Sequence, residues 1–263
     1  GTVTIATNDL RALLAHYGVT YRERVEDLVE VGRSSRERSW RSAYKGVVSP
    51  EYLSFLGFES SASIIRNYEP LLIPGLLQTE EYARIAIRVV QEPDPSPAEL
   101  DAQVDLRMRR QEVLEKPDPP QLHCIVDESV IRRSVGDRDG DRGVMRRQLT
   151  KLLEMSSRPN VVLRVIPFKF GLYRWSRAGS VVFEFPGQED PDILYLEGPT
   201  GEMIIREGSS EGENESPLSP VTLLEAFWQF EQVTKPHESR QIIDAALADV
   251  GAASSDVAAP RSS

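Results

Sequence analysis

The sequence LHCIVDE, from Leu122 to Glu128, marks the point at which the pattern of the chain changes from helices to strands. Leu122, Cys124 and Val126 alternate with their neighbours, which is the period of a β-strand. Asp127 and Glu128 then end the strand and begin a short helix. Further strands are predicted at 161–166, 180–185, 193–197 and 203–206. This order predicts an α+β fold with N-terminal helices, a small mixed or antiparallel sheet flanked by helices, and a C-terminal helix pair.

The composition excludes several classes of protein. The chain has 263 residues and a formal net charge of -10, so a protein that is basic throughout, like a nucleic-acid coat, is excluded. Its one cysteine, Cys124, and three histidines exclude an internal disulfide and the usual four-ligand zinc site. No apolar run approaches the ~20 residues that span a bilayer. We therefore expect a cytoplasmic protein that has no contact with a membrane and needs no metal or cofactor.

Charge is distributed unevenly along the chain. Residues 33–45 contain five basic side chains and one acidic side chain, whereas residues 184–215 contain ten acidic side chains and one basic side chain. The first segment suits an anionic partner, which the second segment would repel. Two solvated surfaces would give the same pattern, so both interpretations remain open at this stage.

Sequence motifs of the common enzyme classes are absent. The chain lacks the phosphate-binding loop, the dinucleotide-binding glycine pattern, the zinc-protease helix motif and the serine-hydrolase elbow. We therefore do not expect an enzyme. The alternative is an enzyme that acts on a nucleotide or NAD-like substrate, in which an arginine grips phosphate and one acidic residue acts in catalysis. The candidates for that acidic residue are Glu128, Glu184 and Glu197.

The stretch YEPLLIPGLLQTEEY, from Tyr68 to Tyr82, is predicted to form an ordered, packed loop. Pro70, Pro74 and Gly75 prevent a continuous helix, while the apolar residues around them need burial. Polar groups on this apolar wall would suit the rim of a small-molecule or peptide site. The side chains that would form the rim are Tyr68, Glu69, Gln78, Thr79 and Tyr82. A structural loop that only packs its leucines is the alternative.

Two groups of arginines are candidates for recognition of an anion. Arg107, Arg110 and Gln111 lie on nearly one side of a predicted helix, which starts at a capping box formed by Ser96 and Glu99. The second group, which is close in sequence, consists of Arg132, Arg133, Arg146 and Arg147. Guanidinium groups at such spacing hold a phosphate or the carboxylates of a partner. Solvated helix faces are the alternative interpretation.

The N-terminal segment and the remainder of the chain each resemble part of a known family of proteins. The N-terminal segment GTVTI, followed by DLRALLAHYGV from Asp9 to Val19, resembles the tail of an Xre-type helix-turn-helix domain. The remainder is similar to the C-terminal domain of actinobacterial WhiJ-like regulators, most specifically in the long block from Tyr68 to Arg84. Shorter matching blocks are SWR near Trp40, RMRRQEVL from Arg107, DESVIRR from Asp127, PNVVLRVIPF from Pro159, FEFP from Phe183 and YLE from Tyr195.

This resemblance implies a cytoplasmic transcription regulator that binds DNA through its helix-turn-helix domain. The implied parts are the tail of that domain at 1–19, a helical connector at 20–48, a regulatory α+β domain at 49–250 and a disordered tail at 251–263. The chain begins at Gly1, so the recognition helix is expected upstream, and DNA binding is expected only through it. In the full-length protein, the connector would add contacts to DNA phosphates through Arg33, Arg36, Arg38 and Arg41.

The hypothesis that we favour is a regulatory module whose C-terminal domain binds a partner or signal and transmits that state to the DNA-binding domain. The resemblance implies that the partner is a small BldB-like protein or a small-molecule signal. A dimerisation platform is a further alternative, because helix-turn-helix proteins commonly pair to match two half-sites. Exposure of Phe227 and Trp228 on the predicted late helix would favour such a homodimer.

Overall fold

The computed structural model describes residues 7–17, 19, 21, 25, 40–91, 93–136, 143–173, 178–187, 190–198, 201–206 and 219–256. Its helices are α1 (Thr7–His16), α2 (Pro50–Ser61), α3 (Glu80–Val90), α4 (Pro97–Arg110), α5 (Glu128–Arg132), α6 (Val144–Met155), α7 (Pro220–Val233) and α8 (Pro236–Asp256). Its strands are β1 (Ile64–Glu69), β2 (Gln121–Asp127), β3 (Val161–Ile166), β4 (Ser180–Glu184), β5 (Ile193–Gly198) and β6 (Gly201–Arg206). Short 3₁₀ turns cover Gly75–Leu77, Gln111–Glu115 and Phe168–Phe170. The chain divides into two compact units, Gly1–Ser60 and Ser61–Ser263.

The first unit, Gly1–Ser60, contains α1 and most of α2. Helix α2 starts where the sequence predicts, because Ser49 Oγ accepts a hydrogen bond of 3.0 Å from Tyr52 N and Pro50 occupies the first helical position. Within the helix, the rings of Tyr52 and Phe55 stack with their centroids 5.4 Å apart. Local capping and aromatic contact therefore shape this helix.

A mixed sheet of six described strands forms the centre of the second unit, in the order β3-β2-β1-β4-β5-β6. Strand β1 pairs in parallel with β2 and antiparallel with β4, which places Tyr68 between Ile125 and Ser180. Strands β2 and β3 are also parallel, and helices lie in both crossovers, whereas β4, β5 and β6 are antiparallel neighbours. The carboxyl ends of β1 and β2 therefore lie at the same edge of the sheet.

The α+β prediction is confirmed, and β1 is the strand that the sequence interpretation misses. The apolar run from Pro50 predicts helix as far as Ile65, and the stretch from Tyr68 predicts a loop, but strand occupies Ile64–Glu69. Ile64, Ile65 and Tyr68 fit a helical spacing as well as a strand. The hydrogen-bond partners of β1 lie far along the chain, so long-range pairing overrides the local pattern.

Helix α7 covers one face of the sheet, and apolar residues from five strands pack beneath it. This buried cluster comprises Tyr68, Ile125, Ile166, Val182, Leu194, Leu223, Ala226, Phe227 and Phe230. The residues that alternate with it along the parallel strands, such as Ile65 and Cys124, are buried as well. Both faces of the parallel half are therefore covered, so apolar residues of its strands are buried on either side of the sheet.

The C-terminal helix pair is present as α7 and α8. Helix α8 packs against α6 and β3 and extends to Asp256, so it ends beyond residue 251, where the tail is expected to start. The remaining tail residues, 257–263, lie outside the described part of the chain. In the described part, no helix combines the length and the apolar character that a membrane span requires.

Candidate functional site

Gln78 is the centre of a hydrogen-bond network that ties the loop after β1 to two helices. The residue is only 1% exposed. Its side-chain Nε2 donates to Ile73 O at 2.7 Å, and its Oε1 accepts from Arg107 Nη1 at 3.2 Å. Its backbone oxygen accepts from Gln111 Nε2 and from Lys151 Nζ, both at 2.8 Å. The loop is therefore fixed to the end of α4 and to the middle of α6.

Gln148 of α6 supports the same loop from below. Its side chain is fully buried, accepts from Thr79 N at 2.7 Å and donates to Leu77 O at 2.7 Å. Tyr82, also buried, accepts a hydrogen bond of 3.1 Å from Ile73 N. Side chains thus satisfy backbone groups that a loop without regular structure leaves unpaired.

Gly75 lets two arginines approach the backbone of the loop. A Cβ atom at this position would lie 3.0 Å from Arg107 Nη1 and 3.3 Å from Arg110 Nη1. Gln111 Nε2 also donates to Gly75 O at 3.0 Å. The predicted group of Arg107, Arg110 and Gln111 therefore packs on the loop that the sequence singles out.

A surface groove of about 460 Å³ lies beside this network. Its lining residues are Thr79, Arg146, Arg147, Thr150, Lys151, Glu154, Met155 and Arg158. Four of these side chains are cationic and one is a carboxylate, in a chain whose net charge is -10. Arg147 Nε pairs with Glu81 at 3.0 Å, and Arg158 pairs with Glu115. These ion pairs hold two of the arginines in place at the groove.

Lys151 is the half-buried cation of the groove. Its ammonium donates to Gln78 O at 2.8 Å and to Gln111 Oε1 at 2.6 Å, and both acceptors are neutral. Burial lowers the pKa of Lys151, and the nearby positive charge of Arg158 lowers it further, against the opposite effect of Glu154. An anion in the groove would stabilise the charged ammonium.

Tyr68 lies in the core and not on a rim. It is 2% exposed, and its ring stacks on Phe230 with centroids 5.7 Å apart. Its hydroxyl lies 2.8 Å from that of Tyr173, which in turn donates to Asp127 Oδ2 at 2.8 Å. Burial raises the pKa of Tyr68 to about 12, so the phenol stays neutral at physiological pH. Tyr68 therefore stabilises the packing under α7.

Glu69 lies at the carboxyl end of β1, on the strand face opposite to that of Tyr68. Burial raises the pKa of its carboxyl to about 8, and the negative charge of Glu197 raises it as well. The side-chain amide of Asn67, 3.5 Å from Oε1, and the positive charges of Arg107 and Arg110 act in the opposite direction. This carboxyl is the predicted site residue with the most perturbed protonation.

The acidic residues of the enzyme alternative occupy three different environments. Glu184 pairs with Arg66 Nε at 2.5 Å. Glu128 accepts from Arg132 Nε and from Phe168 N, both at 2.8 Å, so it joins α5 to the turn after β3. Glu197 is exposed at the end of β5, and it is the candidate whose charge acts on Glu69.

Most of the residues predicted to contact DNA phosphates lie outside the part of the chain that the structure describes. Arg33, Arg36 and Arg38 lie outside the described residues. Arg41 lies within the first unit, where its Nη1 would come within 2.6 Å of a Cβ on Gly57. Its guanidinium therefore packs on the glycine of α2.

The two aromatic residues whose exposure would favour a homodimer are split between surface and core. Trp228 is 60% exposed, whereas Phe227 is 1% exposed and belongs to the cluster beneath α7. The exposure that would favour pairing is thus found at Trp228 alone, because neighbouring residues of a helix face different sides.

Sequence reasoning missed Gln148 and Lys151, although one signal pointed to the first. The buried stripe of α6 contains Val144, Met145, Leu149 and Leu152. Gln148 occupies a position on this stripe, and a polar residue at such a position needs buried hydrogen-bond partners. Lys151 carries no comparable signal, because lysines at helix surfaces are common.

Among the described residues, no group of three or more histidine, cysteine or acidic side chains is placed to hold a metal ion.

Comparisons with known proteins give one match. A search of the curated proteins and a search of the solved structures found no match. The family model DUF5753, described as a domain of unknown function, matches residues 52–210. The match includes β1 to β6, the loop around Gln78 and the basic groove, and the chain therefore belongs to the DUF5753 family.

Proposed function

We propose that this chain is the signal- or partner-binding module of a cytoplasmic, WhiJ-like transcriptional regulator of the Xre type, and that it acts by binding and not by catalysis. DUF5753 domains occur in Xre-type regulators, which supports the regulatory setting. The observation that carries the proposal is the basic groove beside the Gln78 network. Binding of DNA belongs, in this proposal, to the helix-turn-helix domain of the full-length protein.

The groove is preorganised for an anionic partner. Helix α6 supplies Arg146, Arg147 and Lys151, while ion pairs and carbonyl contacts hold Arg147 and Lys151 in place before anything binds. Cations that are fixed in advance lose little conformational entropy on binding. We propose that the occupant is a small BldB-like protein or a small-molecule signal that presents carboxylate or phosphate groups.

The network around Gln78 gives the groove a route to the rest of the unit. Lys151 lines the groove and also donates a hydrogen bond to the backbone oxygen of Gln78. Gln78 in turn contacts Arg107, and Gln111 contacts Gln78 and Gly75. An occupant that shifts the ammonium of Lys151 would therefore change the hydrogen bonds that fix the loop after β1 and the end of α4.

Reversing one charge in the groove is expected to release the partner. In Arg146→Glu, the affinity should fall about tenfold or more, because a repulsive charge then faces the anion. The Arg88→Glu variant, on the exposed surface of α3 outside the groove, is the matched control. Each variant is used to recover material from host lysate, and mass spectrometry identifies retained proteins and small molecules released on denaturation. Equal recovery by both variants and the wild type would contradict a partner site in this groove.

Catalysis at Glu69 is a second candidate function, and one observation favours it. A carboxyl whose pKa lies at about 8, close to a second carboxylate from Glu197, is typical of proton-transfer sites. The wild type and Glu69→Gln should then be incubated with NAD and with nucleotides, and the products followed by ³¹P NMR. Turnover that Glu69→Gln abolishes would favour this function, and no turnover by the wild type would leave the binding module as the explanation.

A further inference from the structure

Two cations of the groove have no carboxylate partner among the described residues. Arg147 and Arg158 are each held by a glutamate, but no described carboxylate pairs with Arg146 or Lys151. Both side chains line the same groove. Two arginines with glutamate partners, together with two cations that lack a carboxylate partner in the described part of the chain, form an arrangement that attracts an anion from solution.

Hydrogen-bond donors remain available at the same place. An ammonium has three N–H groups, and Lys151 uses two of them for Gln78 O and Gln111 Oε1. The hydroxyl of Thr79 accepts from Tyr82 N, and its own hydrogen has no described acceptor. An anion can therefore bind to Lys151, Thr79 and Arg146 without breaking the network around Gln78.

The lining shows what kind of anion fits. Met155 is the one hydrophobic residue among the lining residues, and the aliphatic parts of the arginine and lysine side chains add further apolar surface. Its volume of about 460 Å³ lies within the range of small-molecule sites. Glu154 is the one lining carboxylate, and it is exposed at the helix surface. With four cations and one exposed carboxylate in the lining, the groove matches a compact ligand of high charge density.

We infer that the groove binds the phosphate or diphosphate group of a small molecule, through Arg146, Lys151 and the Thr79 hydroxyl. This inference rests on the proposed function, because it gives the signal of the regulatory module a chemical class. The phosphate group would take the remaining N–H of Lys151 and the guanidinium of Arg146. A phosphate presents enough acceptor oxygens to take a hydrogen bond from each of these three side chains.

Inorganic pyrophosphate is the probe for this site, with citrate at equal ionic strength as the carboxylate comparison. Isothermal titration calorimetry on the full chain should show one site for pyrophosphate in the wild type and in the control Arg88→Gln. Arg146→Gln should weaken binding about tenfold, since it removes one charge-assisted contact. Lys151→Met should weaken it at least as much. Because Lys151 also supports the loop, circular dichroism checks that the Lys151→Met variant is folded. If Lys151→Met unfolds, the test rests on Arg146→Gln, because Arg146 lies outside the Gln78 network.

Three outcomes would overturn the inference. One is no heat of binding by the wild type up to about 10 mM pyrophosphate, a range that includes weak specific sites. Another is equal weakening in Arg88→Gln and Arg146→Gln, which indicates general charge attraction. The third is tighter binding of citrate than of pyrophosphate, which assigns the groove to carboxylates. If pyrophosphate fails while recovery from lysate depends on Arg146, the proposed function stands and the phosphate assignment falls. If pyrophosphate binds but nothing is recovered through Arg146, the site stands and the regulatory role loses its support.

Discussion

Replacing Gln148 with leucine is expected to lower the free energy of unfolding by about 3 kcal/mol, because it leaves two buried backbone groups without partners. The leucine side chain has a similar volume, so packing changes little. The amide, however, is the group that accepts from Thr79 N and donates to Leu77 O, both at 2.7 Å. Each buried backbone group that loses its hydrogen bond costs about 1–3 kcal/mol.

The same substitution at an exposed glutamine separates this effect from a general gain in apolar surface. Gln229 lies on the exposed side of α7, and Gln229→Leu should change the free energy of unfolding by less than about 0.5 kcal/mol. Urea titrations followed by circular dichroism measure both variants. A loss in Gln148→Leu no larger than that in Gln229→Leu would show that Gln148 does not hold the loop.

The stability of the wild type is expected to fall as pH rises from about 4.5 to about 8, and Glu69→Gln should remove most of that fall. The ordinary pKa of 4.5 describes the unfolded chain, and burial raises the folded value to about 8. Between these values the folded protein binds more protons than the unfolded chain, so each increase in pH favours unfolding. The stabilisation from the protonated carboxyl is fully present below the unfolded pKa of 4.5, and it is lost as the pH rises through the folded pKa of about 8.

The magnitude follows from the shift and from the partial exposure of Glu69. A shift of this size corresponds to about 5 kcal/mol if taken whole. Solvent screening at a partly exposed residue reduces the expected loss to about 2–3 kcal/mol. Glu69→Gln keeps the shape of the side chain but cannot ionise, so it should be more stable than the wild type above pH 8 and not below pH 5.

Comparison of the two proteins at each pH isolates Glu69 from other titrating groups. Burial lowers the pKa of His123, for example, and this histidine therefore stabilises the fold as pH rises, opposite in sign to Glu69. Its contribution cancels in the difference between wild type and variant. Glu112→Gln, at an exposed position in the turn after α4, is the matched control. A difference between wild type and Glu69→Gln that stays constant from pH 5 to pH 8.5 would contradict the raised pKa.

Local chemistry was sufficient to predict many elements of the fold. Strand β3 covers the predicted residues, 161–166. Helix α4 starts at the predicted capping box, where Ser96 Oγ accepts from Glu99 N and Glu99 accepts from Ser96 N. Thr79 caps α3 by accepting from Tyr82 N. These signals act within a few residues, so one sequence contains all the information that they need.

Strand β1 and the interior of the site could not be predicted in the same way. Tyr68 and Glu69 are neighbours in sequence, yet the strand sends one side chain beneath α7 and the other to the opposite face. The sequence pattern alone suits both residues to a rim, because the long-range pairing that forms the strand is not contained in it. Gln78 lies in the predicted loop but is buried and not on a rim, and its partners on α6 come from a distant segment that no local pattern connects to it.

The position of β1 in the middle of the sheet determines when the second unit can form during synthesis. Its parallel partner, Gln121–Asp127, leaves the ribosome long after β1, and its antiparallel partner, Ser180–Glu184, leaves later still. Until both have emerged, the segment that becomes β1 has two unpaired backbone edges and exposes Ile64, Ile65 and Tyr68, which is a state prone to wrong pairing. Completion of this core is thus a late event in translation, and the segment 64–69 waits longest of the six strands for its partners.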